Sequence, residues 1–232
     1  MEVMKHLDDK APTSVRPERR DVAEGRRRIL AAAQYLFANN NICAVTMEEI
    51  AQVAGVGKGT LYRKYAHKGA LCLALLETYE NQLQMEVEQY LDSAQPSASP
   101  FTLLSWFMDQ LITFNEEHFT LLRAIRNQES GTRDFSMYHC PRYQWEYQVT
   151  LDLLKRSGEH SRHNDSLNEA EYLADALLAP LDIDLYLFQR NIRGYSPERI
   201  RAGVHSLLES IAMANAERKH PHCGEGASIR LR

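Results

Sequence analysis

The chain has no long apolar run. Nowhere does it approach the roughly 18–20 consecutive apolar residues that a helix needs to cross a bilayer. Its opening segment, Met1–Lys10, is polar and charged and holds no apolar stretch of the kind found in secretory signals, so a cytoplasmic protein with no membrane partner is expected. Cysteine is sparse: there are four in 232 residues, Cys43, Cys72, Cys140 and Cys223, and none stands at C-x-x-C spacing. Free thiols that fill small spaces are expected, not a disulfide framework. There is no H-E-x-x-H, no phosphate loop, no dinucleotide fingerprint and no Ser-His-Asp order with supporting context. The expectation is therefore no enzyme, no catalytic residue, no cofactor and no metal. The one soft-ligand cluster, His220-Pro221-His222-Cys223, lacks a second cluster at ligand spacing and is read as part of a disordered tail.

What is present is an ordinary globular balance, 44% hydrophobic and 25% charged, which is enough for a sizeable core. The net charge of −4 is unevenly spread. Residues 1–70 hold 12 Lys and Arg against 8 Asp and Glu; the remainder hold 15 against 23. A basic end on an acidic body suggests that only one end meets nucleic acid.

Helical periodicity dominates from about Glu24 onward, so an all-α fold is expected. Ile29, Leu30, Ala33, Leu36 and Phe37 make one stripe of an amphipathic first helix. Asn39-Asn40-Asn41 should end it through the left-handed conformation that asparagine tolerates. Thr46-Met47-Glu48-Glu49 reads as a capping box ahead of a short helix that Gly55 stops. A second short helix spans about 58–65 and a longer one about 68–91. After a Ser- and Pro-rich connection at 92–100, further helices are placed at about 101–114, 117–130, 137–157, 167–192 and 197–217. Pro180 predicts a kink within the fourth of these. The organisation expected is a flexible basic arm over 1–21, a helix-turn-helix DNA-binding domain over 22–70, a helical ligand-binding and dimerisation domain over 71–218, and a tail over 219–232.

The informative segment is Thr46–Tyr65, TMEEIAQVAGVGKGTLYRKY. Ile50, Ala51, Val56 and Leu61 can pack its two short helices together and against Leu36 and Phe37. This leaves Lys58, Thr60, Tyr62, Arg63 and Lys64 on or beside the open face of the second helix, which suits entry into a major groove. Arg16, Arg19, Arg20, Arg26, Arg27 and Arg28 can follow the phosphates or enter a minor groove. RRRILAAAQYLFANN and AVTMEEIAQVAGVGKGTLYRKYAHKGAL together resemble the N-terminal domain of TetR-family bacterial regulators over residues about 26–76.

The resemblance implies that Thr46 caps the second helix and touches a phosphate, and that Lys58, Gly59 and Thr60 open the recognition helix. It implies that Tyr62 and Lys68 donate to phosphates, with Tyr65 in the core. Three positions depart from the family pattern. Gly57 stands where a serine is common, removing a hydroxyl contact or cap. His67 replaces Ser or Asn, and Gly69 replaces Glu, so the next helix start is expected to be weaker.

For the body, the resemblance implies a homodimer and a small-molecule effector. Leu177, Leu181 and Leu185 on one helix, and Val204, Leu207 and Ile211 on the next, are the candidate dimer stripes, taken collectively because part of each must also face the subunit's own core. Trp106, Phe107, Gln110, Phe114, Arg126, His139 and Tyr143 are the candidate pocket residues, with Tyr147 in the same aromatic group as Tyr143, and ordinary core packing is the competing reading. Asp184, with Asp182, meets a cationic ligand, an arginine across the dimer, or water. The function expected is a repressor released from a palindromic, double-stranded operator by a hydrophobic or amphipathic ligand. The alternative is the same fold without an inducer, architectural or partner-controlled; a helical enzyme stands behind both.

Overall fold

The computed structural model describes residues 17–94, 98–128, 140–158 and 166–219, and within them the chain is all-α. The arginine at position 16, the candidate His139 and the His/Cys tail lie outside the described residues. The chain divides into two compact units, Met1–Leu75 and Leu76–Arg232.

In the first unit, α1 (Pro17–Asn39), α2 (Met47–Ala54) and α3 (Lys58–Lys64) precede α4 (Lys68–Ser93), inside which the division falls. Helix α1 starts seven residues before the expected Glu24. Pro17 is its first residue, a position where a missing N–H costs nothing and a fixed φ is already helical. The asparagines end α1 through their side chains. The amide of Asn39 donates to the Tyr35 carbonyl at 2.7 Å and that of Asn40 to the Leu36 carbonyl at 3.0 Å, while Asn41 Oδ1 accepts from the Cys43 N–H at 3.0 Å. Carbonyls of the last turn are thus satisfied directly. Ile29, Ala33, Ile50, Ala51, Leu61 and Leu71 form the buried centre, whereas Leu36, Phe37 and Val56 are only half-buried.

The second unit holds the rest of α4, then α5 (Pro100–Glu117), α6 (Phe119–Gln128), α7 (Pro141–Gly158), α8 (Ser166–Leu178), α9 (Ile183–Asn191) and α10 (Pro197–Lys219). Helix α5 packs on α7 on one side and α10 on another, and α7 packs on α8. The sequence explains this centrality. Leu103, Leu104, Phe107, Met108, Leu111 and Ile112 recur in helical register along α5 and all are buried. Each such burial contributes roughly 1.5–3 kcal/mol.

The expected single helix over 167–192 is two helices. Proline has no N–H and its ring clashes with the preceding turn, and here the chain does more than kink. It passes through a 3-10 turn, Ala179–Leu181, and restarts with Asp182 as the cap of α9. The Asp182 carboxylate accepts from the N–H groups of Asp184 at 3.0 Å and Leu185 at 3.3 Å. A capping aspartate two residues after a proline ends one helix and begins another.

Candidate nucleic-acid interface and body cavity

The helix-turn-helix is set by backbone chemistry. Thr46 Oγ1 accepts from the Glu49 N–H at 3.2 Å and Glu49 returns a carboxylate oxygen to the Thr46 N–H at 2.7 Å, which completes the capping box. Those bonds, the backbone one first, hold the Glu49 carboxyl below its usual range. Gly55 ends α2 at φ 62°, ψ 37°, a left-handed turn that side chains with a Cβ avoid. Its N–H and that of Val56 close onto the Gln52 and Ala51 carbonyls. Helix α3 then starts on Gly57, whose backbone is extended and which offers no side-chain cap.

Helix α3 has one buried residue, Leu61, and Tyr65 is buried just beyond it. Lys64 apart, the rest of the helix is available outward. Lys58, Gly59, Tyr62 and Arg63 are exposed, Thr60 is half-buried, and no atom lies within 4 Å of a Cβ placed on Gly59. Two of these groups already have a neighbour. Glu48 Oε1 lies 3.6 Å from Lys58 Nζ and 3.5 Å from the Tyr62 hydroxyl. Both contacts are long and exposed, so either group leaves Glu48 at small cost when a phosphate approaches. Nothing in the sequence pattern points to Glu48 as the residue that holds these two donors.

Lys64 and Lys68 do not match their expected places. Lys64 Nζ donates to the Val22 carbonyl of α1 at 2.6 Å. Burial first, then the charges of Arg26 and Arg63, push its pKa down. The structure thus gathers Arg26, Arg63 and Lys64 into one positive patch, with Lys64 as its tether to α1. Lys68 Nζ donates to the carbonyls of Ile42, Cys43 and Val45 at 2.7, 3.0 and 2.8 Å. An ammonium has three protons, and all three are committed to the α1–α2 loop, so none is left for the phosphate contact expected of it. The start of α4 is also better secured than His67 and Gly69 suggested. His67 Nδ1 accepts from the Ala70 N–H at 3.2 Å, doing the work of a serine cap.

In the second unit most of the candidate pocket residues are core. Phe107 and Phe114 are buried; Phe107 meets Trp145 edge-on, and the Arg142 guanidinium lies over the Phe114 ring. Trp106, half-buried, stacks on Tyr90 at 3.8 Å between centroids, and Gln110 is half-buried. Arg126 and Asp184, expected separately, pair with each other. Among these candidates Tyr143 faces open space. It lines a cavity of about 650 Å³ together with Gln144, Tyr147, Asp175, Asp182 and Leu185. Of this lining, Gln144 and Asp175 were absent from the sequence-derived candidates, because the cavity forms only where α7 and α8 meet.

Residues 29–75 match the family described as bacterial regulatory proteins, tetR family. An HTH-type transcriptional regulator of Staphylococcus aureus is 28% identical over 183 residues, covering 79% of this chain and 91% of that protein. The tetR-type match thus falls on the helix-turn-helix of the first unit. Solved structures share its fold. FadR of Thermus thermophilus, a TetR-family transcriptional repressor solved with lauroyl-CoA, covers 89% of this chain and 96% of its own at 20% identity and a TM-score of 0.57. A protein of Saccharomonospora viridis solved with choline covers 81% of this chain and 96% of its own, at 20% identity and a TM-score of 0.58.

The chain therefore has an N-terminal helix-turn-helix unit that matches the tetR family and a helical body. Burial divides the candidate dimer stripes of that body between its own core and its surface. Leu177, Leu181 and Val204 are enclosed in the core of their own unit, packed with Phe107, Leu111 and Tyr186, and have no surface to offer a partner. Leu185 and Leu207 are exposed and Ile211 is half-buried. Phe188, Ile192 and Met213 add further exposed apolar surface on α9, just after it and on α10.

Proposed function

We propose that this protein is a tetR-family transcriptional regulator, a dimeric repressor that leaves a palindromic operator when a small molecule binds its helical body. The observation that carries the DNA part is the α2–α3 pair, in which Leu61 anchors the recognition helix and leaves Lys58, Gly59, Thr60, Tyr62 and Arg63 facing out. Residues near the start of such a helix read bases, while the patch of Arg26 and Arg63 holds phosphates. The exposed leucines and phenylalanine of α9 and α10 support a second copy as partner, since apolar surface of this kind is normally covered. The cavity on α7 and α8 supports an effector site. Proteins of the same fold have been solved with choline and with lauroyl-CoA, ligands of opposite charge, so the fold alone leaves the effector's class open.

A ligand releases DNA only by binding the non-operator form better. A coupling of about 1–3 kcal/mol corresponds to roughly 5–150-fold weaker operator binding. Selection from random duplex DNA tests the first part. Two inverted half-sites with centres roughly 34–36 Å apart are expected, with affinity falling steeply as salt rises. In this assay Lys58→Ala and Thr60→Ala should change the selected bases, whereas Arg26→Ala should weaken all sequences alike. No enrichment over random duplex at moderate salt would overturn the reading.

A further inference from the structure

The cavity on α7 and α8 has a lining that selects by charge. Tyr143 and Tyr147 stand one helical turn apart on α7, with ring centroids 6.4 Å apart and ring planes 25° from parallel. They form an aromatic wall. Opposite them, on α8 and at the start of α9, are Asp175 and Asp182, and Leu185 closes the apolar side. Among the described residues, none that lines the cavity is basic.

Both carboxylates are held in place by neutral donors. The Tyr143 hydroxyl donates to Asp175 Oδ1 at 2.6 Å, and two backbone N–H groups donate to Asp182. A phenol and two amides orient a carboxylate without cancelling its charge. Glu171 lies close enough to add to the same field: burial first, then Glu171 and Asp175, push the Tyr147 phenol up, so its ring stays neutral. A neutral electron-rich ring face beside an uncancelled negative charge attracts a cation from two sides. The volume, about 650 Å³, lies within the range of small-molecule sites. A hydrated metal ion would leave most of it unfilled.

We propose that this cavity binds an organic cation with an apolar body, its positive centre between the Tyr143–Tyr147 wall and the Asp175 and Asp182 carboxylates. This names the effector class within the ligand-release reading and rests on that reading only for the consequence to DNA. Anions such as acyl thioesters of coenzyme A are excluded from the site by the same charges.

The test compares two ions of nearly equal shape and opposite charge, tetraphenylphosphonium and tetraphenylborate, by calorimetry on the full chain without DNA. Tetraphenylphosphonium is expected to bind at one site per chain, and tetraphenylborate at least about tenfold more weakly. Asp175→Asn should weaken the cation about tenfold, and the loss should shrink as salt rises. Tyr147→Leu should weaken it too, because the ring face is gone while the apolar volume remains. The helical circular dichroism of each variant is the control for folding, and Tyr143→Phe is a further arm of the test. It keeps the ring and frees Asp175 from its hydroxyl partner, so cation binding should persist or tighten. Equal binding of the two ions, an unchanged cation affinity in Asp175→Asn, or no cation binding because a second copy fills the cavity would each overturn the proposal. Operator binding is measured separately, so a failed cation site and a failed DNA reading give different results.

Discussion

Polar side chains serve different masters in the two units. Up to Leu75 they bond mainly to the backbone. Thr46 caps α2, Asn39 and Asn40 close α1, Lys64 holds a carbonyl of α1, and Lys68 gathers three carbonyls of one loop. From Leu76 on they bond mainly to each other. Arg142 joins Glu80, Glu146 and Asn115; Arg190 and Tyr186 share Glu116; Arg201 and His205 share Asp109. The difference follows from helix length. Helices of eight and seven residues have almost as many orphaned backbone groups as bonded ones, so capping decides whether they form. The body's α5, α7 and α10, at 18 to 23 residues, are secure in themselves, and what needs fixing is their mutual position.

The sharpest way to break this contrast is Arg142→Ala. Burial works against the Arg142 charge, but Glu146 and Glu80 outweigh it and keep the guanidinium above its usual range. Removing it strands two carboxylates and the Asn115 oxygen, at a cost of about 3–5 kcal/mol in the body. Urea denaturation followed by probes in each unit should show this loss in the second unit. An equal loss in the first would end the idea of separate polar regimes.

Leu61→Ala comes next, at about 2–4 kcal/mol, because α3 has no other buried residue to hold it. Sequence-specific DNA binding should vanish while the body's unfolding transition is unmoved. Lys68→Met is smaller, about 1–2 kcal/mol, since three carbonyls lose their charged donor and recover water in part. It should lower stability while leaving the salt slope of DNA binding as it was. A slope reduced by about one would restore the phosphate role that the geometry denies it. The smallest effect is Gly57→Ser. The position has extended backbone at φ −66°, ψ 144° and only Thr60 Oγ1 at 4.0 Å from an added Cβ. A serine there should stabilise the first unit by about a few tenths of a kcal/mol, visible as a small rise in its urea midpoint.

The same contrast decides what could be read in advance. The capping box and the Gly55 stop rest on residues a few positions apart, and those expectations met the structure closely; of the set expected outward on α3, Lys64 turns back to Val22 of α1. Lys68 failed because its three acceptors lie 23 to 26 residues upstream in a loop whose path no local pattern specifies. In the body, Arg126 and Asp184 were each picked out as unusual, but their pairing spans 58 residues. Leu177 and Leu181 were placed on the dimer face because an apolar stripe looks the same whether it covers its own core or a partner's. The cavity needed Asp175 to come opposite Tyr143, 32 residues away.

Asp182 has two occupations. It caps α9 and it lines the cavity. Both the Asp184 and Leu185 amides bond its Oδ1, so a cation that draws the carboxylate toward the cavity pulls on the group that fastens the first turn of α9, and the two are linked equilibria. Amide exchange reports that linkage directly. Protection at those two amides should fall as the cavity fills, and the loosened turn carries Leu185 on the exposed surface of α9. A proline that ends one helix and an aspartate that starts the next thus turn a helix break into a point where occupancy and surface are exchanged.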